Sequence, residues 1–240
     1  MSVTVLYTPE SSNRQTGNVP TAWIGTSIEE MRRTCEESGC AYFSGLKIGE
    51  SVCRCYAWQG HARMALYSVL KAFRRDPERY DVRAALAKRA HSAKIMRFSS
   101  IGDPSAVGPV AALDIVQACY EYDVMLMGYV AGWRKARWWK GILRASVTSD
   151  ADMQEALDLG WKTTRVAPMG TTAPPGGIGI MCPIKMGATC DCNGCRLCLH
   201  EKKHPSVIWF PDHTPTTKAH KALEARKAEA NAAALALARG

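Results

Sequence analysis

Five of the ten cysteines fall between residues 182 and 198, in CPIKMGATCDCNGCRLC, at positions 182, 190, 192, 195 and 198. Two overlapping Cys-x-x-Cys units, 192–195 and 195–198, stand behind a Cys-Pro, and Asn193-Gly194 supplies a tight turn. Thiolates two residues apart in such a turn can converge on one metal centre. Two centres suit the pattern: a tetrahedral zinc, which four of the five thiolates would saturate, or an iron-sulfur cluster, which takes three or four cysteines from irregular, proline-flanked spacing. The second half is compressed into Cys190–Cys198 and is not a separated pair of knuckles, which favours the cluster.

A second group is looser. Cys35, Cys40, Cys53 and Cys55 precede His61 with no Cys-x-x-Cys among them. They could form a second site, bring ligands to the first, or simply be small buried hydrophobes. Cys119 fits the last reading, three residues after Val116 on the apolar face of VAALDIVQACY. His200 and His204 lie just beyond Cys198 in the polar run HEKKH, which reads as solvent-exposed. A Gly-x-Ser-x-Gly elbow and a Walker loop are both lacking, so serine-hydrolase and P-loop readings have no motif behind them.

The elements that must position these thiols alternate. KIMRFSS, DVMLMGYV, ILRASV, WKTTRVAP, IGIMCP and VIWFPDH read as strands, and VGPVAALDIVQACYEY and SDADMQEALDLG as helices. Strands apolar on both faces that alternate with helices predict an α/β fold with a parallel sheet, open or closed as a partial or complete TIM-like barrel. In either form ligands sit at the carboxyl ends of strands. SSIGDP, GYVAGW, SVTSD, RVAPMG and MCPIK therefore become candidate site segments. Upstream, SIEEMRRTCEE reads as a helix with Ser27 as N-cap and Glu30 at the capping-box position, and Asp81 can cap VRAALAKRAH. The organisation expected is an irregular, Cys-containing N-terminal region over 1–60, an α/β barrel-like core with the Cys-rich loop over 61–213, and an Ala-rich C-terminal helix over 214–240.

Composition sets the bounds. The 240 residues are 47% hydrophobic and 22% charged, enough apolar material for one large core. With no basic-then-apolar leader and no run of eighteen apolar residues, the expectation is a soluble cytoplasmic protein without membrane contact. Reducing conditions there favour metal over disulfides for clustered thiols. A net charge of +9 permits a nucleic-acid partner, but the basic residues are dispersed among carboxylates, which favours solvated helix faces.

The order TGNVPTAWIG, TCEESGCAYF, CRCYAWQG, RFSSIGDP, GYVAGW, RASVTS and MCPIKMGATCDCNGCRLC resembles the uncharacterised phage family called gene-product-eighty-eight-like, across residues 17–198. The resemblance marks Cys35, Cys40, Cys55, Cys182, Cys190, Cys195 and Cys198 as family-type cysteines and Cys53, Cys119 and Cys192 as additions; Ile101 interrupts the usual Ser-Gly-Asp. SSIGDP and RASVTSDADMQEALDLGWKTTRVA are also similar to parts of radical S-adenosylmethionine barrels, whose Cys-x-x-x-Cys-x-x-Cys is absent here. The cysteine spacing, taken with these resemblances, gives the expectation of a phage-encoded iron-sulfur protein of host cytoplasm, a metalloenzyme whose [4Fe-4S] cluster is held by Cys182, Cys190, Cys195 and Cys198 at the carboxyl-end face. Cys192 is a possible further ligand, and Cys35, Cys40 and Cys55 are second-site candidates. Asp103 would serve as acid/base or substrate contact, or else stabilise the turn before Pro104, and Arg165 would anchor a small anionic substrate, or else form an exposed salt bridge, beside Tyr129, Ser146 and Thr148. The competing reading is a zinc-stabilised nucleic-acid or host-protein binding module using GWRKARWWKG as an Arg and Trp surface.

Overall fold

From residue 95 onward strand and helix alternate as the apolar runs predict. The computed structural model describes residues 3–211 apart from 12, 41–42, 44–54, 56–57, 59, 90 and 169, so Cys53 and the C-terminal helix expected over 214–240 lie outside the described residues. Its strands are β1 (Val5–Thr8), β2 (Thr21–Ile24), β3 (Ile95–Phe98), β4 (Met125–Val130), β5 (Arg144–Val147), β6 (Thr163–Ala167), β7 (Ile180–Met181) and β8 (Val207–Pro211). They form one sheet in the order β1-β2-β3-β4-β5-β6-β8-β7. Only the β1–β2 pair is antiparallel, with Val5 opposite Ile24; β2 through β8 run parallel.

The sheet is open. β1 and β7 stand at its two edges, and among the described residues no pairing joins them into the complete barrel that was one of the two expected forms. The N-terminal region is also more regular than expected. VLYT and TAWI are short strands, and TAWI is buried at all four positions, so its alternation is invisible in the sequence.

Helices α1 (Ile28–Glu37), α2 (Gly60–Phe73), α3 (Val82–Ala87), α4 (Pro109–Glu121) and α5 (Asp150–Asp158) surround the sheet, and a single turn, α6 (Cys192–Cys195), lies in the Cys-rich loop. Their starts follow local chemistry. Ser27, Asp81 and Ser149 each accept a backbone N–H three residues on, at 3.0 Å, and such a cap contributes about 1 kcal/mol. Glu30 completes the first cap differently from the expected box, accepting from the backbone N–H and hydroxyl of Thr26 at 2.7 and 2.9 Å.

Strand alternation divides the sheet's two faces. Met96, Phe98, Leu126, Val130, Ala145, Val147, Ala167 and Trp209 pack against Val82, Ala85 and Leu86 of α3, Ala112, Ile115, Ala118 and Cys119 of α4, and Met153 and Ala156 of α5. Cys119 is core, as its helical position predicts. The residues between them, among them Arg97, Met127, Tyr129, Ser146, Thr164, Ile208 and Phe210, face a cavity on the other side. One face of the sheet is thus a helix-covered core; the other is covered by α1 and α2 at its β1–β2 end, where Met31, Leu66 and Leu70 pack with Leu6 and Trp23, and is left for a site beyond them.

GWRKARWWKG belongs to the first face. Trp133 and Trp139 are buried, Trp139 Nε1 donates to the Pro104 carbonyl at 2.8 Å, and half-buried Trp138 donates to Val107 at 2.9 Å. Trp133 meets Trp161 edge-on, and Arg134 lies over the Trp133 ring while bridging Asp152 and Glu155. The indoles are spent on packing, so this segment is no exposed platform for bases.

Candidate functional site: a thiol-lined cavity

The cavity has a volume of about 250 Å³ and is floored by β3, β4, β5, β6 and β8. Two irregular segments close it. The loop after β7 crosses it with Cys182, Pro183, Ile184 and Lys185 and returns with Cys192, Cys195, Arg196 and Cys198; residues Asn13, Gln15 and Thr16, from the loop before β2, cover another side. Cys40 and Cys55 also reach the wall, so thiols from both halves of the chain share one space.

The covering loop is tied down at several points. Asn193 accepts from the Lys94 N–H at 2.8 Å and donates to the Ser92 carbonyl at 3.2 Å, docking the turn beside the start of β3. The Cys192 N–H donates to the Gln15 carbonyl at 2.9 Å, and Lys185 Nζ donates to the Gln15 side chain at 2.6 Å. Gly17 permits the two covers to meet: its φ is +83°, and a Cβ there would lie 2.5 Å from a carboxylate oxygen of Asp191, the residue that caps α6.

Arg144 anchors the loop's far end. Fully buried, it donates to the carbonyls of Cys198, Pro205 and Leu197 at 2.9, 2.9 and 3.1 Å, and to Thr163, Leu199 and Ser206 at 3.3 to 3.4 Å. All its partners are carbonyls, so six backbone dipoles take the place of a counter-ion. Lys162 adds bonds to the carbonyls of Glu201 and His204. Burial depresses the pKa of both cations.

The thiols feel this setting. Burial pushes Cys198 up to about 11, against the hydrogen bond that Tyr129 Oη donates to its Sγ at 3.1 Å and the nearby Arg144 charge. Cys192 is pushed up to about 12 by burial and then by Cys198, with Arg97 opposing. Burial also raises Cys182, opposed by the backbone N–H groups of Lys185 and Ile184 and by the Lys185 charge. Each of these three thiols therefore sits near a cation. Carboxylates are absent: among the described residues that line the cavity there is no Asp or Glu, whereas Arg97, Lys185 and Arg196 are present.

Sharing a wall is not the same as converging on a point. Thiolate ligands of a tetrahedral centre stand about 2.3 Å from the metal, hence within about 4 Å of one another. Among the described residues no group of three or more His, Cys, Asp or Glu side chains is placed to hold a metal ion. This overturns the expected [4Fe-4S] cluster, the zinc alternative, and with them the iron-sulfur enzyme and the zinc-stabilised binding module. Cys190, one of the four expected ligands, is exposed and not part of the cavity wall, and Cys198 is engaged by Tyr129. The Cys-x-x-Cys spacing does bring Cys192, Cys195 and Cys198 to one space, with Cys182.

The other expected site residues are dispersed. The buried Asp103 carboxylate accepts the N–H groups of Ser105, Ala131 and Gly132 at 2.9, 2.7 and 3.3 Å, tying the end of β3 to the end of β4. Burial raises its pKa while those hydrogen bonds pull the other way. Arg165 borders the cavity, but its guanidinium pairs with Asp150 and lies 5.1 Å from the Trp209 ring centre, on the helix-covered face. Thr148 lies outside the main cavity, beside a smaller polar recess with Ser146, Arg134 and Asp152. Cys35 packs near Cys40, Cys55 and Asp103, and burial raises its pKa. Arg97, on the cavity wall, and Arg144, buried behind the covering loop, are not among the sequence candidates; a lone Arg inside each of the apolar runs KIMRF and ILRASV is the signal the chain offers for them.

No family model, curated protein or solved structure matches this chain. No helix among the described residues is long and apolar enough to cross a membrane.

Proposed function

We propose that the protein binds a small anionic molecule with an apolar portion in the cavity on the open face of the sheet. The observation that carries this reading is the lining: Arg97, Lys185 and Arg196 with no carboxylate among the described wall residues, over a floor that includes Met127, Ile208 and Phe210. The charged side chains among the described wall residues are all cations, and low-dielectric walls strengthen their attraction to an anion. The apolar floor supplies area, and a few polar groups, Thr16, Tyr129, Ser146 and Thr164, supply orientation. A volume of about 250 Å³ limits the occupant to a small metabolite-sized molecule.

The test is calorimetric titration with short-chain carboxylates and phosphate esters, each paired with its neutral amide or alcohol. The anions bind and their neutral partners do not, and Arg97→Met weakens binding roughly 10- to 100-fold, the loss of one charge-assisted contact of ~1.5–3 kcal/mol. Equal binding of neutral partners, or an unaffected Arg97→Met protein, refutes it.

A further inference from the structure

The cavity holds more nucleophiles than ligand binding requires. Cys182, Cys192, Cys195 and Cys198 are on its wall, and Cys192 and Cys198 pack against one small apolar cluster of Val19, Ala93, Ile95, Met127 and Leu199. All four are free thiols. Cys182 and Cys195 do not belong to that cluster. Too dispersed to share a metal, the set is still suited to chemistry that needs only two sulfurs at a time. Within this set Cys198 has a hydrogen-bond donor on its sulfur, the Tyr129 hydroxyl at 3.1 Å, and the Arg144 cation nearby, and both work against the burial that raises the thiol. Cys192 lies beside Arg97, the same cation that the anionic-ligand reading uses.

We propose that Cys198 and Cys192 exchange with a small anionic disulfide held in the cavity, reducing it to two thiols and closing a Cys192–Cys198 disulfide. This rests on the anionic-ligand reading of the cavity. The Cys198 thiolate attacks one sulfur of the bound disulfide, forming the Cys198–S bond and breaking the substrate S–S bond; the first leaving thiolate takes up the proton that Cys198 released. The Cys192 thiolate then attacks Cys198 Sγ in the mixed disulfide, forming the protein disulfide and expelling the second thiolate, which takes up the Cys192 proton. Two electrons pass from the protein dithiol to the substrate disulfide, and no other oxidant enters.

The chain carries its own means of reading the outcome. Trypsin cleaves after Lys185, Arg196 and Lys202, placing Cys192 on peptide 186–196 and Cys198 on peptide 197–202, so the disulfide joins two peptides. Reduced full-length protein is treated with dithiodiglycolate, which is a dianion, or with neutral bis(2-hydroxyethyl) disulfide, quenched and mapped without reduction. Each rate is divided by that of the urea-unfolded chain with the same reagent. The expected result is the 186–196 to 197–202 cross-link, placed at Cys192 by fragmentation, with dithiodiglycolate favoured about tenfold, as for ~1.4 kcal/mol of charge recognition, and the preference lost in Arg97→Met. Failure of the cross-link with both reagents, or its placement at Cys190 or Cys195, overturns the thiol pair whatever the ligand binding shows. A Cys192–Cys198 cross-link formed equally fast with both reagents leaves the pair standing and overturns the anionic-ligand reading instead.

Discussion

Replacing Arg144 with Met removes the group that holds residues 197–206 against the sheet while keeping most of the side-chain volume. Three of its contacts, to Cys198, Pro205 and Leu197, are 2.9 to 3.1 Å long. A hydrogen bond from a charged donor contributes ~1.5–3 kcal/mol, so these three amount to ~4.5–9 kcal/mol before any offset. Burying a guanidinium without a counter-ion costs several kcal/mol, which Met avoids, and the loosened carbonyls can turn to water, so the net loss is ~2–4 kcal/mol. Urea denaturation of Arg144→Met should show that loss with an unchanged slope. Hydrogen exchange should quicken at residues 197–206 while β3 and β4 stay protected. Arg144→Lys, which keeps the charge but has three donors, should fall between the two proteins. A loss below about 1 kcal/mol with unchanged protection of the loop would refute the reasoning, since it would mean that the six carbonyl contacts merely coexist with a loop held by other means.

Two further outcomes follow from buried groups. Asp103→Asn leaves one of the three N–H groups at Ser105, Ala131 and Gly132 facing a donor, so urea denaturation should show a loss of ~1–3 kcal/mol with ligand affinity unchanged; an unchanged midpoint would remove its role in tying β3 to β4. Alkylation of Cys198, followed on peptide 197–202, should rise about tenfold per pH unit up to a value near 11, with about a hundredfold less thiolate at neutral pH than a thiol titrating at the ordinary 9.0. Tyr129 from β4, Arg144 from β5, Cys182 after β7 and Cys195 of α6 are the groups acting on it. Because the folded value is raised, the neutral thiol's contribution to stability is present below pH 9.0 and is lost as pH rises toward 11. A rate that levels off near pH 9 would show Cys198 open to solvent.

Local chemistry explains which features of this fold could be read from the chain. The strand at 125–130, the helix at 109–121 and the caps at Ser27 and Asp81 rest on contacts within a few residues, where periodicity and hydrogen-bonding side chains speak directly. Closure of the sheet has no such signature. β7 is two residues long and joins the outer side of β8, out of chain order, so the edge it creates is decided by pairing between segments and not by the pattern inside either. The cysteine loop shows the same division. Spacing correctly gathers Cys192, Cys195 and Cys198, because residues two or three apart cannot travel far from one another. Whether their sulfurs meet at a point or spread along a wall depends on where the turn is fixed. That is decided by Asn193 reaching 92–94 and by Arg144 reaching carbonyls more than fifty residues away. A metal site needs sulfurs placed to within tenths of an ångström, whereas a cavity that binds an anion and exchanges a disulfide needs two thiols and a cation in reach of a mobile ligand. The same residues can satisfy the second requirement while failing the first, and so an identical cysteine pattern is compatible with either chemistry until the long-range anchors are known.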